Sequence, residues 1–269
     1  MASVRALLAS AGAPLMAAET LLLHCLERDR AWLYAHGDDE VPASVAADFQ
    51  ALNRRRLRGE PVAYLTGVQD FWSLTLNVGP GVLVPRPDTE TLIEWSLDLF
   101  RHRTSPRILD LGTGSGAIAL ALASELTDAC VTAADISAEA LATARANGER
   151  LSLEVQWVES DWFGALNDER WSLIVSNPPY VAEGDPHLAS LSAEPQLALL
   201  GGTEGLDCVE RIVAAAPEHL EPAGWLLVEH GYDQGSAVRT HLQRAGFEGV
   251  ETRRDLAGRE RVSGGYRGD

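Results

Sequence analysis

The sequence predicts an α/β fold in which helices cover both faces of a mostly parallel sheet, preceded by a small helical domain. From about residue 107 onward, short apolar runs typical of strands alternate with helical segments, which is the pattern of a parallel sheet with crossover helices. A glycine-rich loop, DLGTGSG (110–116), follows the first of these strands and opens a helix. Residues before 70 instead show apolar residues at helical spacing only.

Composition limits the chemistry before any motif is considered. The 269 residues carry a formal charge of −17, and all 22 basic residues are arginine. Mechanisms that need a lysine, such as a Walker A loop, a Schiff base or a pyridoxal phosphate anchor, are therefore excluded. The three cysteines lie far apart without metal-binding spacing, so we expect a cytoplasmic protein with no structural metal. No apolar run approaches the roughly 20 residues that span a bilayer, so we expect no membrane contact.

Residues 1–70 are predicted to form the helical domain. Val45 to Leu57 is an amphipathic run that stops at Arg58-Gly59. The densest basic cluster of the chain lies at the end of this run, and its members are Arg54, Arg55, Arg56 and Arg58. Two interpretations stay open for this cluster: a solvated helix face, or a contact to RNA or to an acidic protein.

Residues 71–86 are predicted to form a β-hairpin linker, because a loosely alternating segment breaks at Gly79-Pro80-Gly81. Residues 87–269 then form the second domain. Its predicted strands are 107–111, 130–135, 153–158, 171–176 and 224–230, with two more from residue 247 onward. Its predicted helices are 117–125, 138–150, 205–216 and 234–245.

The glycine-rich loop marks a ligand site, because open α/β sheets bind ligands at the carboxyl ends of their strands. Glycines there let the backbone approach a ligand closely. Asp135 ends the next strand, where a carboxylate can accept hydrogen bonds from ribose hydroxyls. Asp110 at the head of the loop suits a cationic ligand such as S-adenosylmethionine better than a pyrophosphate. On these residues alone, NAD(P) and a tight turn without a ligand stay open. The loop residues predicted to bind a cofactor are Gly112, Thr113, Gly114, Ser115 and Gly116.

A second candidate for cofactor binding is SDW (160–162), which follows the third predicted strand. Asp161 can accept a hydrogen bond from an adenine amino group, and Trp162 can pack on a purine face. The alternative is an ordinary loop aspartate beside a core tryptophan.

The fourth predicted strand runs directly into NPPY (177–180). Pro178 holds Asn177 extended, and neither proline has an N–H to donate. The corner therefore offers two acceptors, the Asn177 side-chain oxygen and the Pro178 carbonyl, beside the flat ring of Tyr180. Two acceptors can bind both hydrogens of a planar –NH2 group and direct its lone pair at a methyl group. They bind more strongly as the nitrogen becomes positive. The motif predicts methyl transfer without a metal; in isolation, a simple turn stays open.

Together these motifs resemble the HemK/PrmC family, the methyltransferases that modify the glutamine of the GGQ motif in peptide chain release factors. The resemblance covers nearly the whole chain. It implies a Rossmann-like class I S-adenosylmethionine-dependent methyltransferase domain with a seven-stranded, mostly parallel sheet, joined by a β-hairpin to a small N-terminal helical domain. The matching segments are GEPVAYLTG (59–67), FWSLTLNVGPGVLVPRPDTE (71–90), ILDLGTGSGAIALALA (108–123), SDWF (160–163), IVSNPPY (174–180), EPQLAL (194–199) and LLVEHGYDQ (226–234).

The resemblance also implies roles for individual residues. The PRPDTE segment (85–90), with Arg86 and Pro87, would lie over the pocket as part of the substrate site. The catalytic candidates are Asn177, Pro178 and Tyr180. Those implied to hold the substrate amide are Asn177, Pro178, Pro179 and Tyr180. Those implied to contact S-adenosylmethionine are Gly112, Gly114, Gly116, Asp135, Trp162 and Asn177.

We therefore expect methyl transfer from S-adenosylmethionine to the side-chain nitrogen, N5, of the GGQ glutamine in class 1 release factors. The helical domain would recognise the substrate protein, because a GGQ loop alone offers little surface. We expect a monomer without direct DNA contact. One alternative is a DNA or RNA amino methyltransferase acting on adenine N6 or cytosine N4, which the charge of −17 disfavours. Another is a non-catalytic, ribosome-associated module that binds the cofactor, which the intact NPPY corner disfavours.

Overall fold

The computed structural model describes residues 2–166 and 168–268. They fall into two compact units. The first contains the residues up to Val68 together with Ser190–Ala193, and the second contains Gln69–Ala189 and the chain from Glu194 onward. Within the described residues, no helix combines the length and apolar character needed to cross a membrane.

The first unit is helical. The helices in its described part are α1 (Val4–Ala9), α2 (Leu15–Leu26), α3 (Arg30–Ala35), α4 (Ala43–Arg56) and α5 (Val62–Thr66). Side chains of Ser3 and Asp29 accept hydrogen bonds from backbone N–H groups at the starts of α1 and α3, which satisfies donors that a helix start leaves unpaired. Apolar faces of α1, α2 and α4 meet in a small core that contains Leu21, Leu22 and Phe49.

The basic cluster at the end of α4 does not form one surface. Arg56 is buried, and its guanidinium donates to the carbonyl oxygens of Ala11 (2.7 Å) and Ala13 (3.1 Å), which ties α4 to the α1–α2 loop. Arg55 forms an ion pair with Glu60. Arg56 is thus part of the packing of this unit. The choice between a solvated helix face and a contact to RNA or an acidic protein now concerns chiefly the exposed arginines of the cluster.

A two-stranded hairpin follows, made of β1 (Val68–Phe71) and β2 (Leu74–Asn77). Its turn lies at 72–73, where Trp72 has a left-handed backbone with φ of +56°, and the side chains of Thr75 and Asp70 hydrogen-bond across it at 2.7 Å. The break at Gly79-Pro80-Gly81, which the sequence suggested as the hairpin turn, instead forms a separate turn beyond β2.

The second unit contains the predicted seven-stranded sheet. Its strands are β3 (Arg107–Leu111), β4 (Cys130–Asp135), β5 (Gln156–Glu159), β6 (Trp171–Ser176), β7 (Leu220–Glu229), β8 (Phe247–Arg254) and β9 (Glu260–Arg267). They lie in the order β5-β4-β3-β6-β7-β9-β8. Strands β3 to β7 run parallel, and β9 pairs antiparallel with β7 and with β8. The predicted α/β class is confirmed. The helices are α6 (Glu90–Phe100), α7 (Ala117–Glu125), α8 (Ala138–Leu151), α9 (Asp207–His219) and α10 (Gly235–Arg244), with short 3-10 turns at Pro87–Thr89, Pro186–Leu191 and Gln196–Ala198.

One apolar cluster lies on each face of this sheet. Along β3, Ile108 packs in the cluster that includes residues of α6 and α7, while Leu109 packs in the one that includes α9 and α10, because successive strand side chains point to opposite faces. Strand β3 has β4 on one side and β6 on the other. The chain therefore reverses its winding between β3 and β6, and a crevice opens at their carboxyl ends.

Candidate active site

A cavity of about 270 Å³ lies at the carboxyl ends of β3, β4 and β6 in the second unit. Seven of the predicted site residues line it: Asp135 ends β4, and the others lie in the loops that follow β3, β5 and β6. Its wall also includes apolar residues that the sequence did not point to, among them Val82, Leu83 and Leu197. The predicted residues on the wall are Gly112, Gly114, Asp135, Asp161, Trp162, Asn177 and Pro179.

The glycine-rich loop needs its glycines for two different reasons. Gly114 has a φ of +57°, and a Cβ added there would meet no atom within 4 Å, so its backbone faces open space. Gly116 has a φ of +84°, and a Cβ there would lie 3.1 Å from Ala144 Cβ and Leu120 Cδ1. Gly114 thus leaves room beside the cavity, whereas Gly116 allows close packing of the start of α7.

Asp110 lies beneath this loop and does not line the cavity. Its side chain is fully buried, and Oδ2 accepts hydrogen bonds from Thr113 Oγ1 (2.6 Å) and Ala119 N (3.2 Å). Oδ1 has no hydrogen-bond partner in the described part of the chain. Burial raises the pKa of Asp110 to about 7, and the two hydrogen bonds partly oppose that shift. Asp110 anchors the loop to α7; its direct contact with a cofactor stays a prediction.

Asp135 is held in place at the end of β4. Its Oδ2 accepts from Gly114 N at 2.9 Å, and its Oδ1 accepts from Ser137 N at 2.9 Å. Burial raises the pKa of this carboxyl, and both backbone hydrogen bonds oppose the rise. Each carboxylate oxygen has a second lone pair, so the side chain can still accept hydrogen bonds from the hydroxyls of a ligand in the cavity.

The loop after β5 supplies Asp161 and Trp162. The Asp161 carboxylate, about half exposed, forms an ion pair with Arg211 of α9 at 3.0 Å. Trp162 adopts a left-handed backbone with φ of +50°, and its ring lies 3.6 Å from the place that a Cβ on Gly112 would occupy. The ring therefore packs beside the glycine loop on the cavity wall. Arg211, which also lines the cavity, was not predicted, since nothing in the sequence links it to Asp161.

The NPPY corner follows β6 and turns its side chains in different directions. Asn177 lines the cavity and donates from Nδ2 to Thr89 Oγ1 at 3.3 Å, a contact that does not use the amide oxygen, Oδ1. Pro178 is buried. Tyr180 is half-buried and donates from its hydroxyl to Glu229 Oε1 at 3.4 Å. This orientation leaves the amide oxygen of Asn177 as an acceptor for a ligand.

The PRPDTE segment is fixed at both ends within the second unit. Arg86 forms an ion pair with the buried Glu194, whose Oε2 also accepts from Val84 N at 3.1 Å. Asp88 pairs with Arg261 at 3.1 Å. Arg86 and Pro87, predicted to contact substrate, do not line the cavity; their direct contact with a substrate stays a prediction. Glu194 comes from EPQLAL, to which no role had been assigned.

Glu229 is a site residue that the sequence analysis missed, and Thr89, which it placed only within the PRPDTE segment over the pocket, contacts Asn177. Glu229 ends β7, next to β6, and is completely buried. Burial raises the pKa of its carboxyl to about 7, and the nearby charge of Arg261 opposes the rise. Both residues lie in segments that carry the family resemblance. Their chemical types suggested no role, because the role depends on tertiary neighbours.

The residues of the cavity fit an adenosine-bearing cofactor such as S-adenosylmethionine. The open space beside Gly114 lets the ligand approach the backbone of the loop, while the carboxylate of Asp135 provides acceptors for ribose hydroxyls. The ring of Trp162 and the surrounding apolar side chains offer a surface for a flat base. Asn177, at the end of the neighbouring strand, places its amide on the same cavity.

The sequence matches two family models: the PrmC N-terminal domain over residues 1–67 and the methyltransferase small domain over residues 89–193. It is 51% identical to a release factor glutamine methyltransferase of Xylella fastidiosa, strain Temecula1, over 92% of this chain and 91% of that protein. It is 48% identical to a protein of the same name from Bordetella pertussis, over 99% of this chain and 100% of that one.

The fold also resembles the crystal structure of a methyltransferase from Pyrococcus furiosus, with a TM-score of 0.56, 19% identity, and coverage of 82% of this chain and 100% of that one. At this identity the likeness concerns the fold alone. The relatives at 48% and 51% identity, which match along nearly the entire length of both chains, decide the family. The chain belongs to the release factor glutamine methyltransferase family.

Proposed function

We propose that this protein transfers a methyl group from S-adenosylmethionine to the side-chain amide nitrogen, N5, of the glutamine in the GGQ motif of class 1 peptide chain release factors. The observation that carries the proposal is the orientation of Asn177, whose Nδ2 is bound to Thr89 while its side chain lines the cavity with the glycine loop, Asp135 and Trp162. The names of the relatives support a release factor as the substrate.

The difficulty in the reaction is that an amide nitrogen is a weak nucleophile, because its lone pair is delocalised into the carbonyl. The Asn177 oxygen and the Pro178 carbonyl would each accept one N–H of the substrate amide and turn its lone pair toward the methyl group. These hydrogen bonds strengthen as positive charge develops on the nitrogen, so they favour the transition state over the ground state.

The cofactor, when bound, supplies a methyl group on a positively charged sulfur that leaves as a neutral thioether. Transfer of that methyl group to the substrate nitrogen would break the carbon–sulfur bond, and the nitrogen would release one proton to water. The chain's own contribution is to position the amide and to hold its hydrogens. In this proposal Gly112, Gly114, Asp135, Asp161 and Trp162 hold the cofactor.

The substrate class can be tested by offering several acceptors to the purified enzyme with methyl-labelled cofactor. The proposal expects label in a purified class 1 release factor and none in DNA or RNA. Label in nucleic acid with none in the release factor would instead identify an amino methyltransferase acting on bases. A release factor whose GGQ glutamine is replaced by alanine serves as the matched control and is expected to stay unlabelled.

We also propose that the enzyme acts as a monomer and makes no direct contact with DNA. The charge of −17 supports the second part, because proteins that bind DNA backbones present positive charge to the phosphates. Light scattering of the purified protein, alone and mixed with duplex DNA, tests both parts: a dimer mass, or a complex that survives physiological salt, would contradict them.

A further inference from the structure

We propose that Gln234 is a positioning residue for the methyl transfer: its side-chain amide holds the carbonyl of Tyr180 and thereby fixes the backbone of the NPPY corner. This inference rests on the proposed function and deepens it, because the corner carries the acceptors that would bind the substrate amide. Gln234 itself does not line the cavity, so it would act through the corner and not by touching the substrate or the cofactor.

The first step is the way in which the NPPY corner can be held. Pro178 and Pro179 lack an N–H, so the peptide units of the corner are fixed mainly through their carbonyl oxygens, by donors from elsewhere in the fold. The Tyr180 carbonyl accepts such a hydrogen bond from Gln234 Nε2 at 3.1 Å, across 54 positions of the chain. The last residue of the motif is therefore anchored by a side chain at the start of α10.

The second step is the direction of the Gln234 amide, which its own neighbours set. Oε1 accepts from Gly231 N at 2.8 Å, and this leaves Nε2 with its two hydrogens for the carbonyls. Besides the Tyr180 oxygen, Nε2 lies 3.2 Å from the Gly205 oxygen and 3.4 Å from the Glu204 oxygen. A flipped amide would place its oxygen against all three acceptors and its hydrogens against an N–H, so only the observed orientation is favourable.

The third step is the close packing of two glycines against the same stretch of backbone. A Cβ on Gly205 would lie 2.3 Å from the Tyr180 oxygen, and one on Gly201 would lie 2.5 Å from the Pro179 oxygen. Only glycine permits so close an approach. The Tyr180 carbonyl is thus held by a hydrogen bond from Gln234 and confined by the backbone of Gly205.

The test uses full-length variants in matched pairs. Gln234→Glu keeps the size of the side chain and its acceptor oxygen but removes the donor, and Gln243→Glu makes the same change at an exposed position of α10. Gly205→Ala adds a methyl group against the Tyr180 carbonyl, whereas a Cβ on Gly246, also at a positive φ, meets no atom within 4 Å, so Gly246→Ala is its control. The readouts are kcat and KM for a class 1 release factor and the dissociation constant of S-adenosylmethionine.

We expect Gln234→Glu and Gly205→Ala to lower kcat by about 10- to 100-fold, because a displacement of about 1 Å is enough to misplace the acceptors of the corner. Affinity for S-adenosylmethionine should stay within about twofold of the wild type, since neither residue lines the cavity. Gln243→Glu and Gly246→Ala should keep the wild-type kcat. Normal cofactor affinity also shows that a slow variant is folded.

A second readout needs no substrate. Tyr180 and Val181 form the only Tyr-Val pair in the sequence. Protein labelled with carbonyl-¹³C tyrosine and ¹⁵N valine therefore gives a single carbonyl–amide correlation in NMR spectra, and this signal reports the Tyr180 carbonyl. The signal should move in Gln234→Glu, where the hydrogen bond is lost, and in Gly205→Ala, where the carbonyl is displaced. It should stay in place in Gln243→Glu.

The inference is wrong if Gln234→Glu keeps the wild-type kcat, if the Tyr180 signal of that variant does not move, or if Gln243→Glu has the same effects. A loss of cofactor affinity as large as the loss of kcat would also overturn it, because the defect would then not be confined to the corner. Should the wild type fail to methylate a release factor, the proposed function falls, while the carbonyl signal still decides whether Gln234 holds the NPPY backbone.

Discussion

Asn177 is the residue on which the proposed chemistry depends most. It follows β6 directly, it lines the same cavity as Asp135 and Trp162, and its amide nitrogen is bound to Thr89. A residue before proline is restricted to extended conformations, so Pro178 limits how far the backbone of Asn177 can move. The side chain is thereby fixed by the backbone on one side and by a hydrogen bond on the other.

Replacing Asn177 with alanine should lower kcat for a release factor by about 10²- to 10³-fold, because it removes an acceptor aimed at the developing positive charge. Affinity for S-adenosylmethionine should fall much less, since the other residues of the cavity remain. Steady-state kinetics together with calorimetric titration of the cofactor separates the two effects. Turnover that survives the substitution undiminished would rule out the proposed role of Asn177.

The raised pKa of Asp110 predicts how the free energy of unfolding depends on pH. Its pKa is raised in the folded state to about 7, above the ordinary value of 3.8, so the folded protein binds this proton more tightly than the unfolded chain. The resulting stability is fully present below about pH 4 and is lost as pH rises through about 7. Since a tenfold difference in proton affinity corresponds to about 1.4 kcal/mol, this stability is at most about 4 kcal/mol.

The Asp110→Asn variant isolates this effect, because it cannot ionise at position 110. We expect the difference in unfolding free energy, wild type minus variant, to become smaller between about pH 5 and about pH 8. Urea denaturation at several pH values measures it. A difference that is constant with pH would show that the pKa of Asp110 is unshifted by folding, and one that grows as pH rises would show that it is lowered; either result would contradict the account.

Among the structural elements, the loop between β3 and α7 combines two tasks that the sequence shows as one motif. Gly112 and Gly114 line the cavity, while Gly116 lets the start of α7 pack against Ala144 of α8. The Asp110 carboxylate accepts a hydrogen bond from Thr113 of the loop, and the carboxylate of Asp135, on the neighbouring strand β4, accepts one from Gly114. The spacing of the three glycines thus reflects packing as well as ligand binding.

Two matched substitutions in this loop should give different results. Both Gly114→Ala and Gly116→Ala introduce a side chain at a positive φ, at a cost of roughly 1–2 kcal/mol. Only Gly116→Ala adds a collision with neighbouring side chains, so it should lower the melting temperature more. Gly114→Ala should chiefly weaken S-adenosylmethionine binding. Thermal denaturation measures the stability of both variants, and calorimetry measures their affinity for the cofactor. If Gly116→Ala were the more stable of the two, the assignment of packing to Gly116 and of ligand binding to Gly114 would be contradicted.

The molecule as a whole consists of two units, each with an apolar core of its own. We propose that the helical unit recognises the substrate protein, because a GGQ loop alone offers little surface for specificity. Deleting residues 2–66 leaves the β1–β2 hairpin, whose Phe71 and Leu76 belong to the core of the second unit. The truncated enzyme should therefore bind S-adenosylmethionine as before.

The deletion should weaken methylation of an intact release factor by tenfold or more, at about 1.4 kcal/mol for each factor of ten, and weaken methylation of a short GGQ peptide much less. Rates measured on both substrates at equal enzyme concentration give the comparison. Equal losses on the two substrates would argue against a recognition role for the helical unit.

Most of the sheet could be predicted from the sequence because its central strands are short, apolar and bounded by polar or glycine residues. The predicted ranges 107–111, 130–135 and 171–176 coincide with β3, β4 and β6. The topology in turn brings the ends of these strands to one crevice. The prediction of the hairpin turn was wrong at Gly79-Pro80-Gly81, because Trp72 adopts the left-handed conformation that a glycine was expected to supply.

The contacts that fix the site could not be predicted, since each joins residues far apart in the chain. Thr89 and Asn177 are 88 positions apart, and Arg211 and Asp161 are 50 apart. The burial of Arg56 is a further case, because a run of arginines is normally expected on a solvated surface. Such roles depend on which side chains the fold brings together.

The proposed function requires that the acceptor of the methyl group is a glutamine side-chain nitrogen. The most direct test is mass spectrometry of a class 1 release factor after incubation with enzyme and S-adenosylmethionine, with fragmentation that locates the modification. We predict one added methyl group on the side-chain amide of the GGQ glutamine. A methyl group on any other residue, or an unmodified GGQ peptide after full turnover of the cofactor, would contradict the proposal.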